Sequence, residues 1–335
     1  MSDFSFIPVS PLLGGKLPNF FKAMSSGRVE SKYYHKVFLT SLVALIATPF
    51  HWWESLVEAK KKELSAPPVF ILGHWRSGTT YLHNLLCQAP DAGYISTYQT
   101  IFPNNMHSKL IFKTFVNINI PEKRPTDNVL LGSDLPQEDE FAMENSLSPS
   151  FYNFFYFPED YKALFDTTVL FKDQPPQDIA RWEKAYKKLL IKGEANTGAK
   201  YMVVKNPVNT ARIPKLLEMF PDAKFIHISR NPVMVYLSTK KFFEALFPTL
   251  YFHYISPEDI EALVFDLFNK LMRQYFQTKE LIPPENLYEV DFETFEKEPL
   301  TQVQQMFEQL KIGDWEASKP YFEAYIDDQK SYKKG

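Results

Sequence analysis

The sequence predicts an α/β fold: a parallel sheet of P-loop type, flanked by helices on both faces, with an N-terminal helical extension. Three observations carry this. Short apolar, β-branched runs alternate with helical periodicity, the signature of βαβ units. The first run, Val69-Phe70-Ile71-Leu72, breaks at Gly73 and leads into a helix from Thr79 with Leu82, Leu85 and Leu86 on one face. Between them lies Gly73-His74-Trp75-Arg76-Ser77-Gly78-Thr79-Thr80, whose glycine spacing is that of a phosphate-cradling turn.

Taken in order, the chain divides into an N-terminal extension with an apolar helix (1–66), a main domain (67–320) and a C-terminal tail (321–335). The first thirty residues are punctuated by Pro8, Pro11, Gly14, Gly15, Pro18 and Gly27 and read as irregular. They show neither a basic start nor an apolar core segment, so no signal peptide is expected. Residues 37–53 contain no Asp, Glu, Lys or Arg. Tyr33, Tyr34 and Lys36 precede this run and Lys60-Lys61-Lys62 follow it, in the manner of interfacial anchors. At about 17 residues with Pro49 inside, it sits at the short limit for a membrane span. A helix buried against the main domain comes first among its readings, an interfacial helix on a membrane second, and a span last.

Downstream, Pro136 marks a helix start for the acidic run Gln137-Glu138-Asp139-Glu140, where carboxylates complement the helix dipole. Residues 150–157 form an aromatic cluster, and Gln177 to Lys192 is an amphipathic helix with Trp182, Ala185, Leu189 and Leu190 on one stripe. A second strand, 201–204, delivers Lys205-Asn206-Pro207. A helix from Ile213 to Phe220 follows, then a third strand, 224–229, ending at Arg230-Asn231-Pro232. After a helix reaching Leu246 come a fourth strand, 286–290, and a helix from Pro299 to Leu310. A parallel sheet places its site at the carboxyl ends of its strands, and Arg76, Lys205 and Arg230 stand there. One site for an anionic ligand follows.

Composition narrows the function. The 335 residues carry a net charge of −3, which gives no electrostatic footprint for nucleic acid. The one cysteine, Cys87, excludes a disulfide framework and a multi-cysteine zinc site, and suits a reducing, cytoplasmic setting. With 30 Phe and 18 Tyr against 11 Gly, aromatics exceed the needs of an ordinary core and point to an apolar ligand or a membrane surface. In the loop, the lysine that an NTPase places after the second glycine is Thr79, and the basic group is Arg76 instead. Backbone amides, hydroxyls and a helix start still make an oxyanion site, though not one built for a triphosphate. The plain alternative is a well-capped helix start.

These residues resemble the sulfotransferases that use 3′-phosphoadenosine 5′-phosphosulfate (PAPS). His74-Trp75-Arg76-Ser77-Gly78-Thr79-Thr80 is similar to that family's 5′-phosphosulfate loop, in the Arg-Ser-Gly-Thr-Thr form of bacterial, carbohydrate and tyrosylprotein members. Residues 225–232 with Ser238 are similar to the strand and helix that hold the 3′-phosphate, and Tyr288-Glu289-Val290-Asp291-Phe292 resembles a further family segment more weakly. The resemblance implies that Arg76, Ser77, Gly78, Thr79, Thr80, Arg230 and Ser238 bind PAPS. It also implies in-line transfer of the sulfuryl group to an acceptor hydroxyl without a metal, leaving adenosine 3′,5′-bisphosphate.

Arg76 would then stabilise charge on the leaving phosphate. Lys205, in a segment resembling the Lys-Asp-Pro of tyrosylprotein members, would assist at the bridging oxygen; a solvated strand-end lysine is the alternative. The base is less well marked. The glutamate that tyrosylprotein members carry after the loop helix has no counterpart in residues 94–98. The search therefore moves to Glu138, Asp139 and Glu140, which resemble the Pro-Gln-Glu-Asp-Glu segment of some bacterial relatives. Glu138 leads, Glu140 follows, and His74 and His107 stand as substitutes; a solvated acidic helix start is the competing reading. The clusters Phe151–Phe157 and Phe242–Tyr254 are expected to flank an apolar or lipid-like acceptor, with residues 37–53 as a peripheral membrane contact. Two rivals stay open: a nucleotide or small-molecule kinase, and a non-catalytic nucleotide-binding protein. The oligomeric state is left open.

Overall fold

Five short strands pair in parallel: β1 Val69–Leu72, β2 Ala92–Gly93, β3 Tyr201–Lys205, β4 Lys224–Ser229 and β5 Leu287–Asp291, in the order β2-β3-β1-β4-β5. The structure, a computed structural model, describes residues 10–57, 63–120 and 130–331. All of β1 is buried, as a central parallel strand covered on both faces must be. Its alternate side chains serve two cores. Val69 and Ile71 join Leu82, Leu85, Leu86, Val203, Ile226 and Val303 in one cluster, while Phe70 stacks on Phe225 and packs against Phe220. The register sets Ile71 opposite Lys205 and Leu72 opposite His227, so β1, β3 and β4 deliver their carboxyl ends together. Because β3 lies on one side of β1 and β4 on the other, the turn after β1 sits where the strand order reverses.

Four of these strands stand where the sequence places them. β5 begins one residue later than expected, and β2 is too short at two residues to show a period.

The chain divides into two compact units. Glu63–Tyr94, Leu190–Lys240 and Ala262–Gly335 make the unit that holds the sheet. In it, the helices Thr79–Leu86, Pro299–Leu310 and Trp315–Ser331 contribute to the first core, which also contains Cys87. The stretch from 321, read as tail, thus continues in helix to Ser331; Tyr332–Gly335 fall outside the described residues, as do Lys60-Lys61-Lys62.

The other unit, Met1–Lys62 with Ile95–Leu189 and Lys241–Glu261, is built from helices and turns. Here one expectation fails. Phe151, Phe154, Phe155, Phe243 and Phe247 are at most 1% exposed and pack ring on ring, with Phe154 and Phe155 at 4.1 Å. These rings form the core of this unit and do not line an acceptor face; of the two clusters, Tyr254 is exposed. Packing helices and turns on one another needs large side chains to fill it, and rings give the most buried area per residue. The apolar run becomes the helix Tyr34–Val57, continuous through Pro49. Among the described residues, no helix is long and apolar enough to cross a membrane.

Candidate active site

The site in the sheet unit starts at the end of β1. Gly73 has φ of +144°, and a Cβ there would lie 2.6 Å from the carbonyl oxygen of Ile228, so the strand leaves the sheet through a position open only to glycine. Its N–H donates to Thr210 Oγ1 at 2.8 Å. Ser77 closes the turn by donating from both N–H and Oγ to the carbonyl of His74, at 3.2 and 2.8 Å. Arg76 takes a left-handed backbone at φ +68° and Gly78 another at +100°. Successive amides in such a turn face inward as an anion nest. Gly78 is the cap of the helix Thr79–Leu86 and offers no side-chain oxygen to it, so the first-turn amides of that helix face the loop. The cap position of this helix is thus filled by glycine and by no hydroxyl side chain.

Three basic side chains gather around this turn. Arg76 Nε donates to Ser238 Oγ at 3.0 Å, and Arg230 Nη1 donates to the carbonyl of Arg76 at 3.2 Å. The Arg230 guanidinium also lies over the ring of Phe292, 4.4 Å from its centroid. Lys205, 2% exposed at the end of β3, donates to Thr80 Oγ1 at 3.4 Å. Lys205 is therefore not a solvated strand-end lysine. Burial first, and the charge of Lys205 second, hold the His83 imidazole down to about 3. Arg76, Ser77, Gly78, Thr79, Thr80, Lys205, Arg230 and Ser238 thus stand within one constellation.

Three contributors escaped the sequence reading or were only faintly marked in it. Thr210 locks Gly73, and Thr239 Oγ1 donates to the Trp75 carbonyl at 3.2 Å; both reach the loop through the fold, with no spacing signal. Phe292 fills the space beside Gly78, where a Cβ would stand 2.3 Å from its ring, and it belongs to the weaker family segment. His74 is buried and edge-on to Trp75, and burial pushes its imidazole down to about 4. It stays neutral at physiological pH.

The carboxylates lie in the helical unit, around the start of the helix Asp139–Ser146. They are buried, contrary to the reading of a solvated acidic helix start. Asp139 and Glu140 are fully enclosed, whereas Glu138 is 8% exposed. Each has a dedicated partner: Tyr152 Oη donates to Glu138 Oε2, Tyr186 Oη to Asp139 Oδ2, and the Phe151 N–H to Glu140 Oε1 at 3.0 Å. Glu144, one turn on, accepts from Ser148 Oγ at 2.6 Å and from the Ser150 N–H. Burial pushes its carboxyl up to about 7 against those bonds. His107 is half exposed and holds Glu54 Oε2 at 2.9 Å through Nδ1, an ion-pairing geometry at the end of the apolar helix.

Comparison with known proteins completes the description. Residues 67–317 match the model of the Sulfotransferase family. The omega-hydroxy-beta-dihydromenaquinone-9 sulfotransferases Stf3 of Mycobacterium bovis and Mycobacterium tuberculosis are each 28% identical over 311 residues, covering 91% of this chain and 79% of theirs. Among solved structures, sulfotransferase STF9 from Mycobacterium avium superimposes with a TM-score of 0.68 at 16% identity, covering 92% of this chain and 80% of that one. STF1 from M. tuberculosis gives 0.65 at 16% identity, covering 93% and 88%. At such identities the structural likeness speaks for the fold.

Proposed function

The chain belongs to the sulfotransferase family, and from that premise we propose that it moves a sulfuryl group from PAPS to the hydroxyl of an apolar, lipid-like acceptor. The observation that carries the donor assignment is the meeting of three cations at the ends of β1, β3 and β4, tied to each other by the Arg76–Ser238, Arg230–Arg76 and Lys205–Thr80 contacts. A donor with a 5′-phosphosulfate and a 3′-phosphate asks for two neighbouring anion sites. The left-handed turn from Gly73 to Gly78 fits the first, and Arg230 with Ser238 fits the second. PAPS supplies the sulfuryl group and departs as adenosine 3′,5′-bisphosphate.

In this reading Ser77, Gly78, Thr79 and Thr80 bind through backbone and hydroxyl groups, while Arg76 and Lys205 oppose charge that grows on the leaving phosphate. Lys205 suits that task because it is buried: a cation out of water acts through a lower effective dielectric. Glu138 acts as general base on the acceptor hydroxyl. Tyr152 orients its carboxylate, and it is the most accessible of the three acidic residues. Asp139 and Glu140 hold the helix start in place. No metal enters the scheme, since sulfuryl carries less charge than phosphoryl.

Support for the acceptor class comes from the mycobacterial relatives, whose name specifies a hydroxylated menaquinone. A cytoplasmic protein that meets a membrane through residues 37–53 belongs to the same reading. The relatives named above are sulfotransferases, which supports transfer of a sulfuryl group over the kinase and the non-catalytic alternatives.

Calorimetric titration with adenosine 3′,5′-bisphosphate is the decisive experiment, with Mg²⁺-ATP as control. Saturable, magnesium-independent binding of the bisphosphate is expected, weakened at least tenfold by Arg230→Ala. Binding of Mg²⁺-ATP alone would overturn the donor assignment.

A further inference from the structure

The helix Tyr34–Val57 is built inside out. Its stripe toward the protein is Lys36, Thr40, Ala44, Ala47, His51 and Glu54, each at most 7% exposed. Its stripe toward solvent is Phe38, Leu42, Leu45, Ile46, Trp52 and Leu56, each at least 44% exposed. A helix folded only for water turns these faces the other way. Three of its polar side chains are held by hydrogen bonds. Lys36 Nζ donates to the carbonyls of Thr249 and Leu250 at 2.9 and 3.1 Å, Thr40 Oγ1 accepts from the Ser10 N–H at 2.9 Å, and Glu54 holds His107. The inversion is therefore fixed in the fold.

A second helix adds to the same face. Lys109–Asn119 anchors itself with Phe112 and Val116 in a core shared with Ala47, the rings of Phe50 and Phe112 lying 5.1 Å apart. It leaves Leu110 91%, Ile111 60% and Ile118 76% exposed. Between the helices runs an open cleft of about 460 Å³, lined by Pro49, Phe50, Trp53, Leu110 and Ile111 together with His107 and Ser108, so the two apolar faces border one cleft. The largest apolar patch on a typical soluble monomer is about 300–600 Å². Large apolar side chains exposed on two neighbouring helices are the kind of patch that marks an interaction site.

We propose that these two helix faces form a docking surface that lies on a lipid bilayer. Three features select a bilayer over a second protein. The stripe carries no charged residue, and its flanking hydroxyls, Ser41 and Ser55, already donate to the carbonyls of Phe38 and Trp52 at 2.8 and 2.7 Å. Protein interfaces normally form about one hydrogen bond per 100–200 Å², whereas acyl chains ask for none. Amphipathic rings stand at both ends, Tyr34 at one and Trp52 with Trp53 at the other, about 27 Å apart at 1.5 Å per residue. Rings at both ends place the helix flat at headgroup depth.

The surface extends the lipid-acceptor reading but stands on exposure and not on catalysis, so it is tested without turnover. Full-length protein is floated with vesicles of phosphatidylcholine and phosphatidylglycerol, and its tryptophan emission is followed with brominated acyl chains as quenchers. The protein is expected to float and its emission to be quenched. Leu45→Glu and, separately, Leu110→Glu are expected to lower the bound fraction at least tenfold, with melting temperature and bisphosphate binding unchanged. The proposal is overturned if the unaltered protein stays in the lipid-free fraction, or if both variants float as well as it does. It is equally overturned if sedimentation shows a dimer that Leu45→Glu dissociates while no vesicles are bound.

Discussion

At the scale of single residues, three adjacent carboxylates receive three different environments. Asp139 and Glu140 are enclosed, their oxygens engaged by the Tyr186 hydroxyl and the Phe151 amide, whereas Glu138 keeps some exposure and meets the Tyr152 hydroxyl. Their substitutions therefore separate by readout. Glu138→Gln is expected to lower kcat by about 10²-fold or more with bisphosphate affinity unchanged. Asp139→Asn and Glu140→Gln lower thermal stability first, by about 1–3 kcal/mol each, because a tailored buried acceptor is lost. Single-turnover rates and melting curves on the same three variants check this; equal losses of kcat in all three would remove Glu138 from its role. The acidic run itself is plain in the sequence. Which partner each member meets is not, because Tyr152 and Tyr186 come from 14 and 47 residues away.

At the scale of elements, the loop from Gly73 to Thr80 depends on backbone geometry as much as on side chains. Gly78 combines φ of +100° with a ring of Phe292 where a Cβ would go. Gly78→Ala therefore carries both a strained backbone and a clash, at about 1–3 kcal/mol for the backbone alone. We expect a fall in melting temperature and at least a tenfold loss of bisphosphate affinity. Adding Phe292→Ala relieves the clash but not the backbone, so affinity stays low in the double variant; full recovery would show that sterics alone mattered. Much of this element was legible: strand, glycines and hydroxyls are contiguous, and contiguous signals survive in sequence. What was hidden is the scaffolding by Thr210 and Thr239, and a two-residue edge strand that has no period to detect. The aromatic clusters misled for a related reason. A run of rings looks the same whether it lines a cleft or fills a core, and only burial distinguishes the two.

At the scale of the whole molecule, buried titratable groups set opposing responses to pH. In the sheet unit, burial holds His74 at about 4, His83 at about 3 and His227 at about 4, all below the ordinary 6.5. Between those values and 6.5 the unfolded chain binds protons that the folded one does not, so stability falls as pH drops through that window. In the helical unit Glu144 works the other way. Its folded carboxyl is at about 7 against 4.5, so the folded form binds the extra proton and stability falls as pH rises from 4.5 to 7. At about 1.4 kcal/mol per unit, that is roughly 3 kcal/mol at most. Chemical denaturation from pH 4 to 8 is expected to show stability falling as pH drops below 6.5, because the three histidines outweigh the one carboxyl. In Glu144→Gln the opposing contribution is gone and that acid-side fall becomes steeper; an unchanged profile would refute the assignment. Composition already marked one half of the proposed lipid-docking surface, through the charge-free run 37–53. It gave no sign that Leu110 and Ile111 join that face, since helices adjacent in space are here separated by fifty residues of chain.

The lone cysteine has a use of a different kind. Cys87 closes the helix that begins at the phosphate loop, lies in the core beneath the sheet, and has its thiol pushed well up by burial. A thiolate, not a thiol, reacts with alkylating reagents, and this one forms only when the core opens. The rate at which the chain takes up such a label is therefore a clock for the breathing of the very helix that bears the loop. With one thiol per molecule, that clock reads a single event.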